Sequence, residues 1–237
     1  MEIRYHGHSC FEVIEGDTRL LVDPFLAPNN PKAVFSADQV DATHIAVSHG
    51  HADHIADVAA VAGRTGAQVV AMVEVAGWLS AHGVENVSDP NLGGTVRFDW
   101  GWIKLVPAWH TNTMPGDGDN AFSAETGTPV GIPAGLVIEI GGKTLYYTGD
   151  TCLFSDMKLV AEINPIDIAL LPIGGHYTMD RHDAVVAARF IGAETVIPVH
   201  FDTFPPIETD SQAFKAEVEA ETSSRVVILA PGESYSA

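Results

Sequence analysis

The chain has 237 residues, 46% hydrophobic and 18% charged, enough to bury a sizeable apolar core. Its formal charge of −19, from 31 acidic and 12 basic side chains without a basic run, argues against nucleic acid as a partner, because phosphate binding needs clustered Lys and Arg. No stretch approaches the ~20 apolar residues of a membrane span, the N-terminus lacks a secretory signal's basic and apolar blocks, and two cysteines, Cys10 and Cys152, are too few for a disulfide framework.

A cytoplasmic location and free thiols are the default expectation. In chain order, residues 3–5, 10–14 and 20–22 read as short strands, with Glu15-Gly16-Asp17 as a hairpin turn. The apolar run 44–47 leads into a polar loop, 57–62 reads as helix and 69–73 as a buried strand. Strand pairs are expected over 95–109 and 136–148, the second turning at Gly141-Gly142. Beyond them, 167–171, 195–199 and 225–229 read as strands, and 182–191 and 211–220 as helices. This order predicts sheets covered by helices in one domain spanning 1–237, with no linker or obvious repeat. One segment breaks the rhythm. Residues 111–133 are rich in Gly, Pro, Asn and Asp and begin directly after His110, and a loop of that length beside a polar strand end points to function.

The sharpest signal is Ser48-His49-Gly50-His51-Ala52-Asp53-His54. Chance supplies H-x-H-x-D-H in roughly two sequences per thousand of this composition. In an extended segment, residues two apart point the same way, so His49 and His51 can present imidazoles to one metal ion. Asp53 and His54 stand where the chain enters the next helix and can turn toward a second. Asp53 alone could be a helix cap, but a cap does not explain three neighbouring histidines. Further ligands are expected at other strand ends, where His110, Asp150 and His200 each close an apolar run. Imidazole and carboxylate donors suit zinc first, with manganese or iron also accommodated.

With these residues in this order, the sequence resembles the metallo-β-lactamase superfamily over nearly its whole length. It is most similar to the small metal-dependent hydrolases related to the sugar-phosphate lactonases. Gly7-His8-Ser9, Val22-Asp23-Pro24, Pro172-Ile173-Gly174-Gly175-His176-Tyr177-Thr178-Met179 and Pro198-Val199-His200-Phe201-Asp202 support the likeness. The resemblance implies an α/β (α+β) fold, a four-layer αββα sandwich, with metals in a cleft along one edge. It implies that His49, His51 and His110 hold one divalent ion, that Asp53, His54 and His200 hold another, and that Asp150 bridges them. It also places His8 and His176 at the cleft as substrate-binding groups, His176 and Asp53 having catalytic roles. Packing or support is the plainer alternative for both histidines.

The expected function is hydrolysis of a small-molecule ester, lactone or phosphoester by a hydroxide held between two metal ions. A nuclease or phosphodiesterase is the alternative, opposed by the acidic balance, and a non-catalytic metal-binding sensor is another. Glutathione thioester hydrolysis lacks an evident basic patch. A di-iron redox role is disfavoured because Ala52 stands where that branch carries an acidic ligand. The acidic Asp117, Asp119 and Glu125, with no Lys or Arg in the 111–133 loop, argue against strongly anionic substrates. Homo-oligomerisation is left open. His6, His44 and His82 are expected in surface or packing roles, and Trp100-Gly101-Trp102 in strand or turn packing.

Overall fold

The computed structural model describes residues 1–116 and 127–237. Two seven-stranded sheets lie face to face. The first runs, edge to edge, Ser234–Ser236, Glu2–Gly7, Cys10–Glu15, Thr18–Val22, His44–Ala46, Gln68–Val70 and Val87–Ser88. The second runs Thr95–Phe98, Gly101–Pro107, Ala134–Ile140, Lys143–Tyr147, Ile168–Pro172, Thr195–Val199 and Arg225–Val226. In each sheet the first three pairings are antiparallel and the last three parallel. The two halves therefore repeat one pattern that the side chains do not advertise.

Alternation along the strands builds three apolar layers. Ile3, Phe11, Leu20 and Val22 meet Leu105, Leu136, Leu145 and Tyr147 between the sheets. Leu21 and Ile45 point outward under Val58–Thr65 and Val73–Ala81, where Val61, Val75 and Leu79 cover them. On the other outer face, Tyr146, Ala169 and Val196 pack beneath Ala184, Ala188 and Phe214 of the helices Arg181–Ile191 and Ser211–Glu221. The layers are therefore helix, sheet, sheet, helix. Strands buried on both faces need continuous apolar sequence, which Ile168–Pro172 and Thr195–Val199 supply. Asp180 and Asp210 start the two later helices by accepting from Asp183 N–H and Ala213 N–H, and the first of these helices ends at Gly192 with φ +65°.

Three elements differ from expectation. The run 69–73 is split: the strand stops at Val70 and Val73 begins a helix to Ala81. A helix, Met157–Ile163, lies over the second sheet, and the last strand, Ser234–Ser236, pairs with Glu2–Gly7 rather than continuing from 225–229. Within 111–133 a short ribbon pairs Thr113–Met114 with Thr128–Pro129; Asp117, Asp119 and Glu125 lie outside the described residues. Among the described residues no helix is long and apolar enough to cross a membrane.

Candidate metal centre

Strand ends from both sheets meet at one edge of the sandwich. His49 to His54 follow His44–Ala46, His110 follows Gly101–Pro107, Asp150 follows Lys143–Tyr147 and His200 follows Thr195–Val199, while His8 sits in the turn after Glu2–Gly7. Close backbone approach sets this geometry. A Cβ on Gly50 would fall on Met114 Sδ, and Gly50 N–H donates to Asn112 Oδ1 at 2.8 Å, so the His-rich loop is clamped to residues after His110. Gly149, at φ +65°, would place a Cβ 2.6 Å from Ala134 O, and its absence lets Asp150 enter the site.

The donor atoms form three overlapping groups, each with atoms within 4.8 Å of one another: His49, His51 and His110; His8, Asp53, His54 and His200; and His49, His54 and Asp150. Asp150 spans the first two. Its Oδ2 stands 3.0 Å from His200 Nε2, 3.3 Å from His54 Nε2 and 3.9 Å from His110 Nε2. All seven ligands expected from the sequence are thus brought together. His8 joins them more closely than expected: its Nε2 is 3.0 Å from Asp53 Oδ2 and its Nδ1 2.9 Å from Thr203 Oγ1.

Asp23 anchors the assembly from behind. Fully buried at φ +45°, it accepts from Ser48 N–H at 2.7 Å on Oδ1, and on Oδ2 from Ser48 Oγ at 2.6 Å, His54 Nδ1 at 2.7 Å and Tyr147 OH at 2.8 Å. With its Nδ1 proton committed to Asp23, His54 aims Nε2 at Asp150. His54 Nε2, Asp150 Oδ1 and His200 Nδ1 are buried without a hydrogen-bond partner. Unsatisfied buried donors and acceptors are costly, and a cation among them would engage the first two.

The electrostatics suit such a cation. Burial pushes His49 well below the ordinary imidazole range and lowers His51 and His8 each to about 4, so these rings are neutral ligands or partners at pH 7. Burial works to raise Asp150, yet His200 and His54 hold it well below the usual carboxylate range. Burial likewise opposes the charge on His54 and His200, but Asp150 beside both raises them overall, helped at His54 by Asp23. In the metal-free chain the acidic residues thus favour positive charge on these two rings.

A cavity of about 540 Å³ opens over the cluster. His51, Asp53, His110, Asp150 and His200 form its floor, and Met114, Pro115, Tyr177 and Phe204 its apolar walls. Its described lining contains no Lys or Arg. His176 is exposed, with its ring edge-on to Tyr177 at 4.5 Å between centroids, and it is Tyr177, half exposed, that lines the cavity. Tyr177 and Phe204 escaped the sequence reading because an aromatic residue beside a motif carries no signature of its own. His44 and His82 pack against Trp100 and Trp78, and His6 lies buried against Phe35. Trp100 stacks on Phe98.

The chain is similar to known proteins. A family model described as the beta-lactamase superfamily domain matches residues 2–200. A UPF0173 metal-dependent hydrolase of Thermus thermophilus is 43% identical over 233 residues, covering 98% of this chain and 97% of its own. One from Pelotomaculum thermopropionicum is 44% identical over 235 residues, covering 99% of each. Among solved structures, a metallo hydrolase from the hyperthermophilic archaeon Ignicoccus hospitalis superposes with a TM-score of 0.86 at 32% identity, over 99% of this chain and 97% of that one. An isothiocyanate hydrolase from Delia radicum gut bacteria has the same fold, with a TM-score of 0.75 at 17% identity over 100% of this chain and 99% of its own.

Proposed function

The chain belongs to the metallo-β-lactamase superfamily, and from that premise we propose that it is a binuclear metal-dependent hydrolase of small, weakly charged esters or lactones. The observation that carries the binuclear reading is Asp150, whose one carboxylate oxygen faces histidines of both donor groups. His49, His51 and His110 would hold one ion, Asp53, His54 and His200 the other. Zinc matches the imidazole-rich set best. When bound, such ions supply Lewis acidity, lowering the pKa of a coordinated water and polarising the oxygen of the bond to be cleaved.

The chain's own residues do the rest. Asp53 is partly open to the cavity, and His54 and His8 keep its carboxyl ionised against the opposing effect of burial. His8, neutral at pH 7, donates from Nε2 to Asp53 Oδ2 while Nδ1 accepts from Thr203, which assigns its tautomer and fixes the carboxylate's direction. Asp53 can thereby orient an attacking water and receive its proton. Tyr177, Phe204 and Met114 exclude water around an apolar acyl group. The choice of ester or lactone over phosphoester rests on the absence of a Lys or Arg clamp in the described lining.

The test is a panel of ester, lactone and phosphodiester probes given to zinc-loaded protein, to chelated protein and to His51→Ala and Asp150→Ala. Turnover of esters or lactones, lost with the metal and in both variants, is expected. Full activity after metal removal refutes the reading; preference for phosphodiesters refutes the substrate class.

A further inference from the structure

His8 also lines a second cavity, of about 300 Å³, distinct from the one over the metal cluster. Its walls are apolar: Phe201, Ile228, Leu229 and Pro231, with the ring of Tyr5. Three polar atoms at those walls are already engaged. Tyr5 OH donates to His8 O at 2.8 Å, Thr203 Oγ1 meets His8 Nδ1 at 2.9 Å, and Asp202 Oδ1 accepts from Thr209 N–H at 2.9 Å. Gly7, at φ +102°, keeps a side chain out of the chamber; a Cβ there would lie 3.3 Å from Asn30 Nδ2 and 3.4 Å from Pro231 Cγ.

Two charged groups line the chamber: the Asp202 carboxylate, with Oδ1 held by Thr209 N–H, and the Lys32 ammonium. Lys32 lines the chamber, and its ammonium has no hydrogen-bond or ion-pair partner among the described residues, whereas Lys143 and Lys215 pair with Asp167 and Glu219. Its backbone is held in place. Lys32 N–H donates to Asn30 Oδ1 at 2.9 Å, and buried Asn30 donates from Nδ2 to Phe25 O at 3.1 Å. An apolar chamber with one unpartnered cation on a fixed backbone is complementary to a small molecule with an apolar body and a single negative charge. A dianion would meet one ammonium with the Asp202 carboxylate near by, and Asp202 is already drawn to Thr209 N–H through Oδ1.

We propose that this second chamber is a binding site for a small apolar monocarboxylate, its tail against Phe201, Leu229 and Pro231 and its carboxylate on Lys32 Nζ. The site stands independently of what the metal-lined cavity hydrolyses.

The probe is hexanoate, titrated into the zinc-loaded chain by calorimetry and followed by amide NMR, with Lys32→Met and Ala230→Phe as variants. Both positions are exposed, so neither change disturbs the core, and circular dichroism checks the fold. Saturable one-to-one binding is expected, with shifts at Gly7, Thr203 and Leu229. Lys32→Met should weaken binding about tenfold, as loss of one partly desolvated charge-assisted contact does. Hexanol should bind about as weakly to the unaltered chain, and Ala230→Phe should close the chamber. Equal binding by Lys32→Met, shifts confined to His51 and His110, tighter binding of leucine or hexylamine, or no saturable binding overturns the proposal.

Discussion

Asp23→Asn tests how the chain would hold the second ion of the proposed pair. The carboxylate receives four hydrogen bonds in a site with no solvent exposure. An amide retains one acceptor oxygen and turns an NH2 group toward donors. Ser48 and Tyr147 hydroxyls can rotate to accept, but His54 can accept only by moving its proton from Nδ1 to Nε2, the atom that faces Asp150. Losing a charge-assisted hydrogen bond costs about 1.5–3 kcal/mol, so with the His54 contact compromised the metal-free chain should lose about that much. Disrupting the partner that orients a metal-ligating histidine typically costs 10–100-fold in affinity, or about 1.4–2.8 kcal/mol. Competition with a chromophoric chelator should show one of two bound ions weakened by that factor, the ion at His49, His51 and His110 being largely spared. Urea unfolding of chelated protein measures the stability term. Wild-type affinity for both ions, or preferential loss of the other ion, would refute the reasoning.

Metal uptake should release protons at pH 7. The upward shifts of His54 and His200 favour protons on these rings in the metal-free chain, so apparent affinity should climb with pH until His54 deprotonates unaided; calorimetry in buffers of differing ionisation enthalpy should detect roughly one to two protons. Uptake without proton release contradicts this. Gly50→Ala should destabilise the chain by about 1–3 kcal/mol, because the added methyl meets Met114, and Gly50→Ala with Met114→Ala should recover part of that in urea unfolding. Tyr177→Ala should raise KM about three- to tenfold with zinc content unchanged, the scale of one lost aromatic contact. The same change at exposed His176 should move KM less, and the reverse order would return the cavity wall to His176.

The candidate ligand cluster was legible because its chemistry is rare and its positions regular. His49, His51, Asp53 and His54 form a pattern that composition does not generate, and His110, Asp150 and His200 each end a strand-like run. Most strands were legible by the same apolar punctuation. The helix Val73–Ala81 was not, because Val73 and Val75 extend the β-branched run of Val69 and Val70, and packing of Val75 and Leu79 on the first sheet decides the outcome. Met157–Ile163 is two turns without a side-chain cap, too short to show periodicity. The closing strand Ser234–Ser236 depends on a partner at the opposite end of the chain, which local sequence does not announce. The motif put His8 at the cleft without naming its neighbours, and folding brings it to Asp53 and Thr203 across 45 and 195 residues.

Anomalous scattering from crystals of the zinc-loaded chain addresses the central claim most directly. Two peaks are predicted, one ligated by His49, His51 and His110, the other by Asp53, His54 and His200, with Asp150 reaching both. A single peak, or zinc held by other side chains, would contradict it.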